Sequence, residues 1–175
     1  MFDDHRPIVI HKPEDYEGMR KAGRLAAEVL DMIAEHVQPG VTTGSLNDLC
    51  HEMIVSRGAI PAPLGYRGFP KSVCTSVNHV VCHGIPGDLR LKDGDIVNID
   101  VTVILDGWHG DTSRMYGVGE VAPRARRLVD VTFEALQLGM AAVKPGARFG
   151  DIGAVIQTYV EGQRCSVVRD FCGHG

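Results

Sequence analysis

The chain has 175 residues, 44% hydrophobic and 23% charged, with a formal net charge of -4. That length suits one domain with a real core, and the charge gives no drive toward non-specific nucleic-acid binding. Five cysteines without a C-x-x-C pair fit a reducing cytoplasm better than a disulfide framework, and no apolar run is long enough for a signal peptide or a membrane span.

Residues 1–12 read as a loose N-terminal arm, with Ile8-Val9-Ile10 lying on the body. Pro13 opens a helix, and Glu14 and Asp15 suit its first turn. Met19, Ala22, Ala26, Val29, Ile33 and Val37 recur at helical spacing as its buried face, and Pro39-Gly40 ends it. Thr43 caps a second helix with Leu46, Leu49 and Met53 inward, and Gly58 stops it. The run from Ala59 to Pro70 is loop-like and carries two aromatics, Tyr66 and Phe69. Ser72 to Gly84 reads as two short strands around Asn78-His79. Two longer strands follow between Asp93 and Met115, joined at Asp106-Gly107, since both residues tolerate positive φ. Pro123 begins a third helix running to about Val143. Leu128, Val131, Ala135, Leu136 and Ala142 face inward on it, and Arg124, Arg126 and Arg127 form a solvated face. Lys144-Pro145-Gly146 ends it. A fourth helix spans Asp151 to Glu161, and C-S-V-V-R-D-F-C-G-H-G reads as a strand entering a glycine turn.

Along the first strand of the hairpin Val97, Ile99, Val101 and Val103 point one way, and Asn98, Asp100 and Thr102 the other. A loop of two or four residues sets Asp111 opposite Asp100 or opposite Thr102, and either pairing brings both carboxylates onto one face. A loop of odd length would separate them. Like charges that close repel unless something positive lies between. One reading is therefore a pair of oxygen ligands for a divalent metal; the other is two solvated aspartates on an exposed face. His174, flanked by glycines, is a candidate nitrogen ligand. His83 ends V-V-C-H-G-I-P and by spacing alone reads as structural.

Two near-motifs are dismissed. G-Y-R-G-F-P-K-S places Pro70 where a phosphate loop needs glycine before its lysine. Gly117-Val-Gly119 follows an antiparallel hairpin, not the first strand of a parallel sheet.

One repeat is visible. V-Q-P-G-V-T-T-G-S-L from Val37 matches V-K-P-G-A-R-F-G-D-I from Val143, an offset of 106 without a gap. Each copy joins one helix to another. This is either common reuse of a Pro-Gly connector or the mark of two related halves.

The stretches L-G-Y-R-G-F-P-K-S-V-C-T-S-V-N-H-V-V-C-H-G-I-P, L-K-D-G-D-I-V-N-I-D-V-T-V, D-G-W-H-G-D-T-S-R-M and R-D-F-C-G-H-G resemble the bacterial type I methionine aminopeptidases, a group of metallopeptidases, in order and from Pro13 onward. The resemblance implies an α/β (α+β) pita-bread fold, a pseudo-twofold sandwich of antiparallel sheet and helices. The single catalytic domain would be 13–175, with a first half at 13–117 and a partial second half at 118–175. The resemblance also implies removal of the initiator methionine when the second residue is small. Two divalent ions (Co, Mn, Fe or Zn) would be held by Asp100, by the bridging Asp111 and by His174. His83 would sit beside the substrate amine and scissile amide, and Tyr66, Phe69 and Cys74 would line the methionine side-chain pocket.

Family members continue past the G-H-G turn and supply two glutamate ligands and a second substrate histidine. The chain is thus expected to be truncated there and inactive alone. Pro63 and Arg67 stand in the pocket loop where relatives vary. The implied partners are nascent polypeptide N-termini and the ribosome, with no nucleic acid or membrane bound directly, for a cytoplasmic monomer. The alternatives are a proline-directed or creatinase-like hydrolase, or a non-catalytic binding protein on the same fold.

Overall fold

Alternating apolar residues make Ile96–Leu105 the central strand, β3, of an antiparallel sheet. In the computed structural model, which describes residues 9–171, 173 and 174, the chain divides into two compact units, Met1–Glu120 and Val121–Gly175. In the first unit helix α1 spans Pro13–Ile33 and α2 spans Thr43–Ser56. β1 (Ile60–Pro61) and β2 (Cys74–Val77) pair end to end along one edge of β3, and β4 (Trp108–Gly117) pairs along the other. The second unit holds α3 (Pro123–Ala141) and α4 (Phe149–Gly162).

The β3–β4 turn is the expected two-residue Asp106-Gly107, with φ of 51° and 83°. Its left-handed pair matches the twist of the flanking strands. Val97, Ile99, Val101 and Val103 are fully buried and pack with Ala22, Leu25, Ala26, Val29 and Ile33 of α1. Helix and sheet come together closely because Gly110 has no side chain: a Cβ there would overlap the Ala22 carbonyl oxygen. Gly18 likewise leaves room for the Trp108 indole. Tyr116 Oη donates to the Leu30 carbonyl at 2.6 Å, and Arg114 pairs with Asp31 at 2.8 Å, so two polar side chains of β4 are tied to α1.

Several expectations need correction. Met19 is 47% exposed, because the seam of α1 runs through Leu25 and Leu30 instead. Thr42 is the cap of α2, accepting from Ser45 N at 3.1 Å. Thr43 is the first helical residue, and its hydroxyl is used elsewhere: it donates to Gly87 O and accepts from Gly87 N. Val9 and Ile10 do not lie on the body, being 71% and 87% exposed; Ile8 lies outside the described residues. After β2 no second strand forms. The chain turns at Asn78, and only Gly84 returns, its carbonyl accepting from Thr75 N at 2.8 Å and its N–H donating to Ser76 Oγ. The other edge of β3 is already occupied by β4, so Val80–His83 has no ladder to join.

In the second unit α3 packs on α4 through Val131, Ala135 and Gly139, at helical spacing. A side chain at Gly139 would crowd Ile156, so glycine allows the close approach. One neighbouring helix covers one stripe, and the expected inward residues Leu128 and Leu136 are 47% and 51% exposed. Arg127 is exposed on the solvated face as expected, and from there it donates to Gln163 O at 2.7 Å and steadies the end of α4. The expected strand after α4 is absent: residues 165–171 are irregular and pair with no strand among the described residues.

The repeat extends into conformation. Gly40 and Gly146 stand at the same offset with φ of 89° and 86°. The helices that follow, α2 and α4, each have 14 residues and begin at that offset, Thr43 and Phe149. Their ends match as well. Gly58 and Arg164 both have positive φ, and Ala59 N→Ile54 O corresponds to Cys165 N→Val160 O.

Candidate active site

The polar face of the β3–β4 hairpin carries Asn98, Asp100 and Thr102 on one strand and Asp111 and Ser113 on the other. The two-residue turn fixes the register: Asp100 lies opposite Ser113, and Asp111 opposite Thr102. Of the two pairings the sequence left open, the second is realised. Asp100 and Asp111 are diagonal neighbours, a relation that spans about 7–8 Å on one sheet face. Thr102 Oγ1 donates to Asp111 Oδ1 at 2.9 Å, and Asn98 Nδ2 donates to Ser113 Oγ at 3.3 Å. Asp100 is half-buried and Asp111 exposed.

On its other edge β3 pairs Asp100 with Cys74 of β2. Cys74 is buried, and burial is the main reason its thiol is pushed up from 9.0 to about 11; the charges of Asp100 and Asp111 and the neighbouring Cys82 add to the shift. The thiol therefore stays protonated and neutral beside the carboxylates.

The segment leading into β2 is a tight loop. Gly65 N donates to Phe69 O and Phe69 N to Tyr66 O, with Arg67 left-handed at φ 48° and its guanidinium 5.4 Å from the Tyr66 ring centroid. Tyr66 is exposed and Phe69 half-buried. Helix α2 holds the end of this loop. Asn47 Oδ1 accepts from both Ser72 N at 2.8 Å and Val73 N at 3.3 Å, and His51 Nδ1 lies 2.8 Å from Ser72 Oγ. His83, left-handed at φ 55°, precedes the Gly84 that is hydrogen-bonded to β2.

Asp100, Asp111, Cys74, Tyr66, Phe69 and His83 thus all belong to the first unit, on β2, the hairpin or loops tied to them. His174 belongs to the second unit, exposed in the irregular segment after α4. Among the described residues no group of three or more His, Cys, Asp and Glu side chains forms a metal site by itself. Sequence reasoning named Thr102 only as a possible cross-strand partner of Asp111, and it missed Asn47 and His51. Only Thr102 carried a local signal, being two residues beyond Asp100 on an alternating strand.

Comparison with known proteins places this geometry. The model of metallopeptidase family M24 matches residues 17–175. The chain is 65% identical over 168 residues to a methionine aminopeptidase of Rickettsia prowazekii, covering 96% of this chain and 65% of that protein. It is 58% identical over 170 residues to that of Escherichia coli K12, covering 96% and 64%. A crystal structure of the Rickettsia prowazekii methionine aminopeptidase superposes with a TM-score of 0.95 at 64% identity, covering 97% of this chain and 68% of that one. The chain belongs to metallopeptidase family M24, with the α+β pita-bread fold of the methionine aminopeptidases. It spans less than two thirds, 64–65%, of the length of these curated relatives. No helix among the described residues is long and apolar enough to cross a membrane.

Proposed function

We propose that the protein is a metal-dependent methionyl aminopeptidase that removes the initiator methionine from nascent chains whose second residue is small. The observation that carries this reading is the placement of Asp100 and Asp111 on one face of a rigid hairpin, in a chain whose relatives are named methionine aminopeptidases. The donor chemistry fits a metal. Carboxylate oxygens suit hard and borderline divalent ions, and two carboxylates this close repel less when they share cations. Asp100 and Asp111 would hold the ions, with Asp111 bridging two of them and His174 adding a nitrogen donor; cobalt, manganese, iron and zinc all suit such a set. Bound there, divalent ions act as Lewis acids and bring water to a nucleophilic state near neutral pH.

The chain's own residues do the rest. The imidazole N–H of His83 donates to the substrate oxygen that gains charge as the amide is attacked. Tyr66, Phe69 and the neutral Cys74 thiol line an apolar slot for an unbranched thioether. Because Cys74 stays protonated, it adds no third negative charge beside the two aspartates. Nascent N-termini are the substrates, the ribosome is where they emerge, and a cytoplasmic monomer suffices for the chemistry.

The test is a two-peptide assay of the intact protein with Mn(II) or Co(II). Release of methionine from Met-Ala-Ser with Ala-Pro left intact is the expected result. Preferential cleavage of Ala-Pro would move the protein to the proline-directed relatives. Neither cleavage nor metal uptake would leave a binding protein on this fold.

A further inference from the structure

We propose that Thr102 is the positioning residue for Asp111, its hydroxyl holding the carboxylate in the orientation that meets a metal ion. The inference rests on the metal-binding reading of this hairpin and adds a residue to it. Thr102 lies directly opposite Asp111, and its hydroxyl donates to Oδ1 at 2.9 Å.

The geometry leaves Thr102 little freedom. It lies between Val101 and Val103, both fully buried in the core, in a strand paired on both edges. Its backbone is fixed too: the carbonyl accepts from Ala62 N at 2.9 Å. A β-branched side chain on such a backbone has few χ1 choices, so the hydroxyl is aimed by the sheet itself. Asp111 has no such support from burial, since it is exposed. An exposed aspartate samples several rotamers, and ordering it on ion binding would cost entropy. A hydrogen bond from a fixed donor lowers that cost before any ion arrives.

The count of lone pairs allows the arrangement. An ionised carboxylate offers about four acceptor sites. The Thr102 hydroxyl takes one of them, which by itself does not prevent a bridging aspartate from serving two cations. The donor is uncharged, as the site needs: a lysine or arginine at 102 would also order Asp111, but would put positive charge where the cations bind. Partners behind a ligand of this kind typically change metal affinity about 10–100-fold when removed.

The experiment compares the intact protein with its Thr102→Val and Thr102→Ser variants. Mn(II) affinity is read by electron paramagnetic resonance, and the χ1 rotamer of Asp111 in metal-free protein by NMR scalar couplings. Valine keeps the β-branched shape without the donor, so thermal melting should stay near the parent value and loss of fold cannot explain the result. The expected outcome is a single Asp111 rotamer and measurable Mn(II) binding in the parent, a rotamer average and about tenfold or greater weakening in Thr102→Val, and near-parent behaviour in Thr102→Ser. Equal Mn(II) affinity in the parent and the valine variant would overturn the proposal, as would rotamer averaging in both. If the parent holds one rotamer that Thr102→Val releases, yet neither binds Mn(II), Thr102 still positions Asp111 and the metal reading of the hairpin is the part that fails.

Discussion

Gly110 of β4 lies against the backbone of Ala22 in α1 so closely that a methyl group would overlap the Ala22 carbonyl oxygen. The next residue is Asp111. The depth at which the hairpin packs on the helix therefore sets where that carboxylate stands. Gly110→Ala should force helix and strand apart. Overpacking of this kind costs about 1–3 kcal/mol, and the displaced strand should also bind metal less well. Chemical denaturation and Mn(II) titration measure the two effects; a variant as stable as the parent would show that the contact yields easily.

Asp111→Asn keeps the shape and removes the charge. The amide oxygen can still accept from Thr102, so the fold should survive with an unchanged circular dichroism spectrum. Metal affinity and methionine release should fall by about two orders of magnitude or more, the upper end for partners of a metal site and here a ligand itself. Near-normal turnover would rule out the bridging role.

Asn47 satisfies two consecutive backbone N–H groups, Ser72 and Val73, with one side-chain oxygen. Leucine at 47 would leave both buried donors without that acceptor, at about 1–3 kcal/mol for an unsatisfied group. The loop carrying Tyr66 and Phe69 ends at this clamp, so Asn47→Leu should also weaken methionine binding. Amide hydrogen exchange at Ser72 and Val73 is the direct readout. Unchanged protection there would mean that another acceptor takes over.

Stability should fall as pH rises above 9. The Cys74 thiol is raised from 9.0 to about 11 and Cys50 from 9.0 to about 12, both chiefly by burial. Between the unfolded and folded values the folded chain keeps protons that the unfolded chain has lost. The stabilising contribution is full below pH 9 and disappears as pH climbs through 11 and 12. Tyr116, raised by burial from 10.0 to about 12, adds in the same direction. Urea melts at about pH 8 and about pH 10.5, on either side of the unfolded thiol value, should differ, and Cys50→Ala should reduce the difference. Equal slopes in parent and variant would remove Cys50 as a contributor.

Much of this protein was legible in its residues one stretch at a time. The helical spacing from Ala22 to Ile33, the Asp106-Gly107 turn and the alternation from Val97 to Val103 are local signals, and local backbone preferences enforce them. They also placed Asp100 and Asp111 on one face, because an even loop preserves the alternation. The Pro-Gly connectors showed the repeat, since left-handed glycine must recur wherever the same turn recurs.

What remained open depended on partners far along the chain. The pairing of Asp111 with Thr102 instead of Asp100 was the exception, a local matter decided by the two-residue turn. Thr43 lost the cap to Thr42 because its hydroxyl meets Gly87, distant in sequence. Val80–His83 and residues 165–171 have strand-like composition, but a strand exists only where a neighbour supplies hydrogen bonds. Leu128 and Leu136 have the right spacing for burial, but burial requires a second surface. Asn47 and His51 look like ordinary polar helix residues until the fold brings Ser72 against them. Periodicity and turn chemistry are properties of adjacent residues; pairing, covering and clamping are properties of residues that meet only after the chain has folded.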